Sequence, residues 1–593
     1  MISDSSEKNQ VSLEVLDPRG MLADPKRQGL FAPRPTDLNG KTIAVMALWS
    51  DAKNFFATIE EMLREKYPSI KFVHPESMHS PFAKDNTEAV AQQCDAWLDG
   101  VKASTTGGKF DAPAALEKRG KPGVAVCTQA VYMLKKLQSD FNGVPTCRIV
   151  TVPDTDYSVA KFDPELMKEV ARAAFNDILE ALTAPLTKEE TDVTDFTYDY
   201  SPKTFTGNTY AEAYDKFQQY CYDNDMNDGL PVTPPTKEAV DKMLTGISYP
   251  PDKVIGLMEP RMGIATVEKI AINAVMAGAK PEYLPVIVAM IETITDKRFN
   301  QYHIVNEILP ITLISGPIID EIGINNKNGY LAPGNRPNST IGRALLMCMI
   351  NIGWRNMKYY SSPGGPGNPA AYANYVIPEN QADNPWPTYA EATGFDPKES
   401  TITMCEILAV IKGPSETLFL EPYAQRLNKL RAPFTVEAGT FSHFSNTVNR
   451  RNEGARHMIV LHPTMARQLA NAGYTRESFI QWLYDSTTID WDKMTEEERS
   501  AFRENVVKGK YRGLTLDDCK PGLYAEAFSD PKHVAVIIAG TGCGASMIFQ
   551  TSAGSTVSFE PSVDSTVSFE AGMKSLPFMH KVIHGATLTD AGK

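Results

Sequence analysis

The residues best suited to chemistry stand in several clusters rather than in one signature motif. Glu268, Lys269 and Asn273 are the polar interruptions of the first of two helices read in Gly256–Glu292, a helix otherwise apolar nearly all round. Charged groups on a buried helix must be paired or must face a cavity. These three, with Glu259 and Arg261 just upstream, read either as an internal Glu–Lys network or as the lining of a site for a small polar molecule. In the second reading Glu268 handles protons while Arg261 and Lys269 hold an anion. PGNRPNSTIGRALL reads either as a further anion site or as a simply capped helix. There Asn338 or Ser339 caps a helix running through Met349, and Arg336 and Arg343 reinforce its positive end. In the loop Lys102–Gly108 (KASTTGG), Ser104, Thr105 and Thr106 stand ahead of a helix, where hydroxyls and backbone N–H groups can face an anion. The alternative is an ordinary connection. His443, set among hydroxyls and amides in TFSHFSN, is the best-placed acid/base, with a solvated histidine as the plain alternative. Cys543, between glycines in GTGCGAS, is the reserve nucleophile. Cys127 ends the apolar run GVAVC, where buried structural thiols are the commoner case.

Several chemistries are excluded by spacing. KASTTGG lacks the GxxxxGK[ST] pattern that cradles a nucleotide. Gly540, Gly542 and Ala545 satisfy GxGxx[GA], but strand-like residues follow where a dinucleotide fold needs a helix. A hairpin or a close approach of backbone to a ligand suits those glycines better. The acidic run DNDMNDG fails as a calcium loop. With Gly229 at position 6, position 3 is Met226 and position 12 is Pro235, so a turn at Asn227-Asp228-Gly229 is expected. The nine histidines offer no HExxH or HxH arrangement. Neither metal nor organic cofactor is expected.

Composition narrows the class further. A chain of 593 residues exceeds one hydrophobic core, so two or more domains are expected. The net charge of −13 argues against nucleic acid as the main partner. No apolar run reaches the roughly 18 residues that span a bilayer, and the polar start carries no signal-peptide core. Eight cysteines without a CxxC pair suggest neither a disulfide scaffold nor a zinc ribbon. A cytoplasmic protein is expected, and size with apolar content suggests a homo-oligomer.

The elements that must position these residues follow a rhythm. Residues 1–39 are Pro- and charge-rich and read as an extended arm. Apolar runs at Thr42–Leu48, Ile70–His74, Asp95–Val101, Gly123–Cys127 and Cys147–Val152 then alternate with helical stretches at Asn54–Lys66, Pro113–Arg119 and Ala130–Phe141. That alternation means βαβ units and a parallel sheet, hence an α/β domain over 40–185. Its ligand site belongs beyond the C-terminal strand ends, which selects Trp49-Ser50-Asp51 with Asn54, the KASTTGG loop, Cys127-Thr128-Gln129 and Pro153-Asp154. Residues 186–205 read as a linker and 206–593 as a larger mixed α/β domain. The larger domain is built around Gly256–Glu292, read as two consecutive helices divided at Gly278 and Lys280-Pro281. Strand-like runs follow at Ile311–Ser315, ITMCEILAVIKGP, Met458–His462 and His533–Ala539. Tyr359–Pro369 reads as a site-lining loop, and the repeated STVSFE reads as a hairpin.

The run CDAWLDGVKASTTGGKFDAPAALEKRGKPGVAVCT with CRIVTVP, together with LDPRG and GKTIAVMAL, resembles the proteins named for a UGSC or CGSC motif, a (seleno)cysteine family. The resemblance covers Leu16–Val159. It implies a redox pair in the loop after the strand CDAWLDGV, where this chain has KASTTGG and no thiol. By ungapped placement Ser104 and Gly107 occupy that position. DGLPVTPPT, the central helix pair, SGPIIDEIGIN and NSTIGRAL resemble a companion domain of such proteins, which implies architecture rather than activity. The expectation is an enzyme for a small anionic organic substrate, a lyase or hydrolase cleaving a carbon–heteroatom bond. A thiol-dependent oxidoreductase using Cys127 or Cys543, and a non-catalytic binding or structural subunit, are the alternatives.

Overall fold

The fold is that of a computed structural model describing residues 10–47, 50–75, 87–102, 111–161, 163–296, 299, 309–355, 376–407, 409–415, 457–487, 489–508, 515–525, 531, 534–542, 545–550 and 579–583. The arm opens with β1 (Val11–Val15), whose partner lies far along the chain. Then come β2 (Thr42–Ala47), α1 (Ser50–Lys66), β3 (Lys71–Val73), α2 (Thr87–Gln93), β4 (Ala96–Lys102) and α3 (Asp111–Lys118). β5 (Gly123–Thr128), α4 (Tyr132–Phe141), β6 (Ile149–Val152), α5 (Asp154–Ala160) and α6 (Pro164–Thr183) complete this part. Strands β2–β6 form one parallel sheet in the order β3-β2-β4-β5-β6.

Helices cover both faces of this sheet. On α1 the buried Phe55, Phe56, Ile59 and Leu63, and on α6 Met167, Ala171, Phe175, Ile178 and Leu182, recur at helical spacing and pack on one face. Each such side chain contributes roughly 1.5–3 kcal/mol by leaving water. Trp97, Leu116, Ala125 and Val144 form the core of the other face. Helix α6 starts sharply because Asp163 accepts from the N–H groups of Glu165 and Leu166, with Pro164 in its first turn.

The larger part begins with β7 (Lys203–Gly207), antiparallel to β1, followed by α7 (Tyr210–Asp223), β8 (Val254–Met258), β9 (Gly263–Thr266), α8 (Val267–Met276) and α9 (Leu284–Ile294). The two-helix reading of Gly256–Glu292 needs correction at its start, where β8 and β9 form a hairpin. Glycine is required there by crowding: a Cβ on Gly256 would lie 2.2 Å from Thr295 Oγ1, and one on Gly263 would lie 1.7 Å from the Ile352 carbonyl. Helix α8 then starts where Thr266 Oγ1 accepts from Lys269 N, and it ends at Gly278 with φ +81°.

Next in the chain are β10 (Leu309–Ser315), α10 (Arg336–Asn351), β11 (Val376–Pro378), β12 (Thr401–Ile407) and β13 (Ala409–Ser415). After them come β14 (His457–Leu461), α11 (Pro463–Asn471), α12 (Arg476–Thr487), β15 (Val534–Ile538), β16 (Ala545–Gln550) and β17 (Met579–Val582). They build two four-stranded sheets, β11-β10-β12-β17 and β13-β16-β14-β15. The single strand-like run ITMCEILAVIKGP is thus two strands in different sheets. Helices α8, α9 and α10 pack together in a large core that Leu13 and Val15 of β1 enter. Among the described residues no helix is long and apolar enough to cross a membrane. The STVSFE repeat and Tyr359–Pro369 lie outside the described residues.

Arm and linker run together. Leu30 N donates to Glu190 O and Phe196 N to Pro25 O. Arg148 Nε and Nη2 donate to Glu190 Oε1 and Oε2 at 2.7 and 2.8 Å. Those bonds hold the Glu190 carboxyl below its ordinary value of 4.5. A depressed carboxylate stabilises the fold above its unfolded pKa, and that contribution is lost as pH falls through the folded value. Denaturant unfolding should therefore show Glu190→Gln less stable than the parent at neutral pH, with the gap closing below about pH 4. A gap that stays constant across this range would show that the ion pair contributes nothing.

Candidate functional site

In a regular strand residues three apart face opposite sides, so Asp99 and Lys102 should not meet. They do, because β4 carries one extra residue. The β4–β5 register runs Asp99 to Ala125 and then Lys102 to Cys127, and the alternation of side chains resets at Gly100. Leu98 and Val101 both face the α1/α6 side, whereas Trp97 faces the other side with Ala125. Asp99 and Lys102 follow Trp97. Gly100 has φ +135°, and a Cβ there would lie 2.3 Å from the Val126 carbonyl oxygen. Only glycine fits.

The result is an ion pair of 2.8 Å between Lys102 Nζ and Asp99 Oδ2, with both side chains fully buried. Beyond this contact Lys102 Nζ has no hydrogen-bond partner among the described residues, and neither has the buried Thr128 Oγ1 at the end of β5. Lys135, fully buried on α4, donates to Gln138 Oε1 at 3.1 Å. Asp154 caps the neighbouring turn, accepting from Ala130 N with both oxygens at 3.1 and 3.0 Å. Between these groups Cys127 is fully buried, and desolvation pushes its thiol up to about 12 although Lys135 and Lys102 pull it down.

The sequence-expected residues of the larger domain do not converge on one site. Lys269 Nζ donates to the Asp17 carbonyl at 2.6 Å, and Asn273 Nδ2 to the Pro18 carbonyl at 3.1 Å. Burial lowers the Lys269 pKa. Both therefore grip the chain's own arm. Glu268, by contrast, is exposed on the first turn of α8. Arg261 reaches across to Asp140 on α4 and lies 4.1 Å from the Phe196 ring centroid. Arg27 of the arm pairs with the same Asp140 at 2.7 Å. Arg336 donates through Nε and Nη2 to the Gly278 carbonyl at 3.1 and 3.0 Å, closing α8. Asn335, rather than Asn338 or Ser339, is the N-cap of α10. The Asn338 side chain clasps Asn325 and Tyr330. Arg343 forks onto Asp228 with two bonds of 2.8 Å, which accounts for one acid of the DNDMNDG turn. Gly540 and Gly542 are approached by Tyr330 and Thr464 of the protein itself, and strand β16 follows. Ser104, Thr105, Thr106, His443 and Cys543 lie outside the described residues.

Asp99 was thus missed by sequence reasoning, although the signal was present as a charge within an apolar strand, and Lys102 was read only as the first residue of the KASTTGG loop. They stand where the sheet changes direction. From β2 the chain steps outward to β3 and then returns to β4 on the other side, and the crevice at such a switch point is where doubly wound sheets bind ligands. By order and site this part is a doubly wound α/β domain of flavodoxin-type topology. Residues 14–184 match the model of the UGSC family. The N-terminal region is therefore UGSC-like, from within β1 to the residue that caps α6. Comparison with curated proteins and with solved structures returned no match.

Two outcomes test this geometry. Breaking a buried pair on one side costs about 3–5 kcal/mol, whereas removing both charges is far milder. Lys102→Met should destabilise by that amount, and Asp99→Asn/Lys102→Met should recover most of it in urea unfolding; equal losses in both would deny the pairing. The described cysteines Cys94, Cys127, Cys147, Cys221 and Cys348 are buried. At neutral pH Cys127 should alkylate no faster than Cys348, as read by peptide mass spectrometry, because both thiols are raised by burial. Fast labelling of Cys127 would reopen the thiol reading.

Proposed function

We propose that the chain is an enzyme acting on a small anionic organic molecule at the C-terminal strand ends of its N-terminal sheet. The observation that carries this reading is the buried Asp99–Lys102 pair, built by the Gly100 bulge at the switch point. A buried ion pair is rarely worth its desolvation as a structural device, since well-packed apolar residues do as well or better. At a ligand site the same pair has uses. The ammonium of Lys102 holds an anionic group or a developing oxyanion, and Asp99 takes and returns a proton. Acid/base cleavage of a carbon–heteroatom bond, by a lyase or hydrolase, is the reaction class that needs only these groups. The deeply buried Cys127, with its thiol raised to about 12, weighs against a thiolate there.

The test is a screen of small carboxylic and phosphorylated compounds by thermal shift and ligand-observed NMR, with turnover followed for each compound that binds. A ligand at a hundredfold excess over its Kd stabilises the fold by about 2.7 kcal/mol. The wild-type chain should be stabilised and should convert at least one compound, and Asp99→Asn/Lys102→Met should lose both effects. Ligands bound equally by the double variant would sink the reading. Binding without turnover would leave the site and remove the enzyme.

A further inference from the structure

Strand β5 ends in Thr128, which is 2% exposed and whose Oγ1 has no hydrogen-bond partner among the described residues. Its place in the backbone offers one. Thr128 is the N-cap of the turn Gln129–Val131, where a threonine oxygen ordinarily accepts from an N–H of that turn. It makes no such bond. Asp154, just past the end of β6, takes the Ala130 N–H instead, with both carboxylate oxygens. A buried hydroxyl left without a partner is costly, and valine has nearly the same shape without that cost. Packing and capping therefore give no reason for a threonine here, whereas a ligand does.

The register fixes where this hydroxyl stands. Lys102 is the ladder neighbour of Cys127, and Thr128 is the next residue along β5. Neighbouring strands lie about 4.8 Å apart, so Lys102 and Thr128 flank one short span of the strand ends. Side chains alternate along β5, and Val124 and Val126 face the α1/α6 side. Thr128 follows them to that side, while Cys127 and Lys102 face the other. Ammonium and hydroxyl thus leave the backbone on opposite sides of the sheet. They are poorly placed to meet on one atom, but a ligand lying across the strand ends meets each with a different group.

We infer that the Thr128 hydroxyl selects the ligand of this site, by hydrogen-bonding a neutral hydroxyl or carbonyl oxygen while Lys102 holds the anionic group. The ligand class is then a short hydroxy- or oxo-acid. The inference rests on the proposed reading of the strand ends as the ligand site, and adds to it a residue and the chemical class of ligand. A site built to hydrogen-bond an oxygen rejects the analogue that lacks it, because the buried polar group is then left unpaired.

The experiment is isothermal titration calorimetry on the full chain at neutral pH with matched acids: lactate and pyruvate against propionate, and malate against succinate. The variants are Thr128→Val, Thr128→Ser and Asp99→Asn/Lys102→Met, each also followed by urea unfolding without ligand. At least one oxygen-bearing acid should bind the wild type about tenfold or more tightly than its partner that lacks the oxygen. Thr128→Val should erase that preference and Thr128→Ser should keep most of it. Without ligand, Thr128→Val should be no less stable than the wild type, since its hydroxyl has no bond to lose. Marked destabilisation would give the hydroxyl a structural partner and overturn the inference. So would a preference that persists in Thr128→Val, or an equal weakening of both members of a pair. If the wild type binds both members of a pair equally and the double variant binds neither, Thr128 is overturned and the strand-end reading survives. Binding that persists in the double variant overturns both. A wild-type chain that binds none of these acids overturns the ligand class and leaves the strand-end reading to its own compound screen.

Discussion

Everything in this molecule depends on how the arm is held. β1 pairs with β7, so both ends of the N-terminal domain return to the larger part. The segment after β1 is then fixed by buried polar groups rather than by further strand pairing. Lys269 and Asn273 of α8 donate to the carbonyls of Asp17 and Pro18, and Asn351 of α10 donates to Asn273 Oδ1 at 2.8 Å. Tyr198 of the linker donates to Asp17 Oδ2 at 2.8 Å, and the Arg19 guanidinium lies 4.3 Å from the Trp354 ring centroid. Gly20 lies against Ile352 so closely that a Cβ would come within 2.8 Å of it. A partly buried cation such as Lys269 is most stable where acceptors meet it. The arm's carbonyls are acceptors with few alternatives of their own. Each side therefore satisfies the other, and neither part keeps its polar groups paired alone.

The family match begins at residue 14, inside β1, rather than at the first strand of the parallel sheet. LDPRG is adjacent in sequence to the N-terminal domain but structurally belongs to the seam with the larger part. Its aspartate, proline and arginine each meet α8, the linker or Trp354. The groups that looked most like a substrate site, Arg261, Lys269 and Asn273, are the other half of that seam.

The parallel sheet was legible because short buried runs alternating with amphipathic stretches have few other solutions. All five runs became strands, and the α1 stripe and the α4 start fell within a few residues of expectation. The hairpin β8–β9 was not legible as such. Its apolar residues continue into α8 without a change of composition, and only Gly256, Pro260 and Gly263 marked the break. The candidate site was half legible. The strand-end rule selected the edge of the candidate site, with Cys127 and with Lys102 at the start of the KASTTGG loop, but Asp99 was absorbed into a strand. The meeting of Asp99 with Lys102 depends on a bulge that strand periodicity does not reveal. At Glu268–Lys269 the same rule, that buried charges need partners, was applied correctly. The partner was a carbonyl of an arm more than two hundred residues away, which local pattern cannot show.

One element joins the two halves of this account. Helix α4 carries Lys135 on its buried face beneath the strand ends, while its last turn carries Asp140 and Phe141 at the seam. Asp140 receives guanidinium groups from the arm, through Arg27, and from the larger part, through Arg261. Arg261 also lies 4.7 Å from the Phe141 ring centroid. A ten-residue helix is short and stiff, so a shift at one end displaces the other. A parallel sheet of five strands could be covered by its own helices alone. This one is tied to its companion a second time, because the last turn of α4 carries a carboxylate held by both the arm and the neighbouring domain.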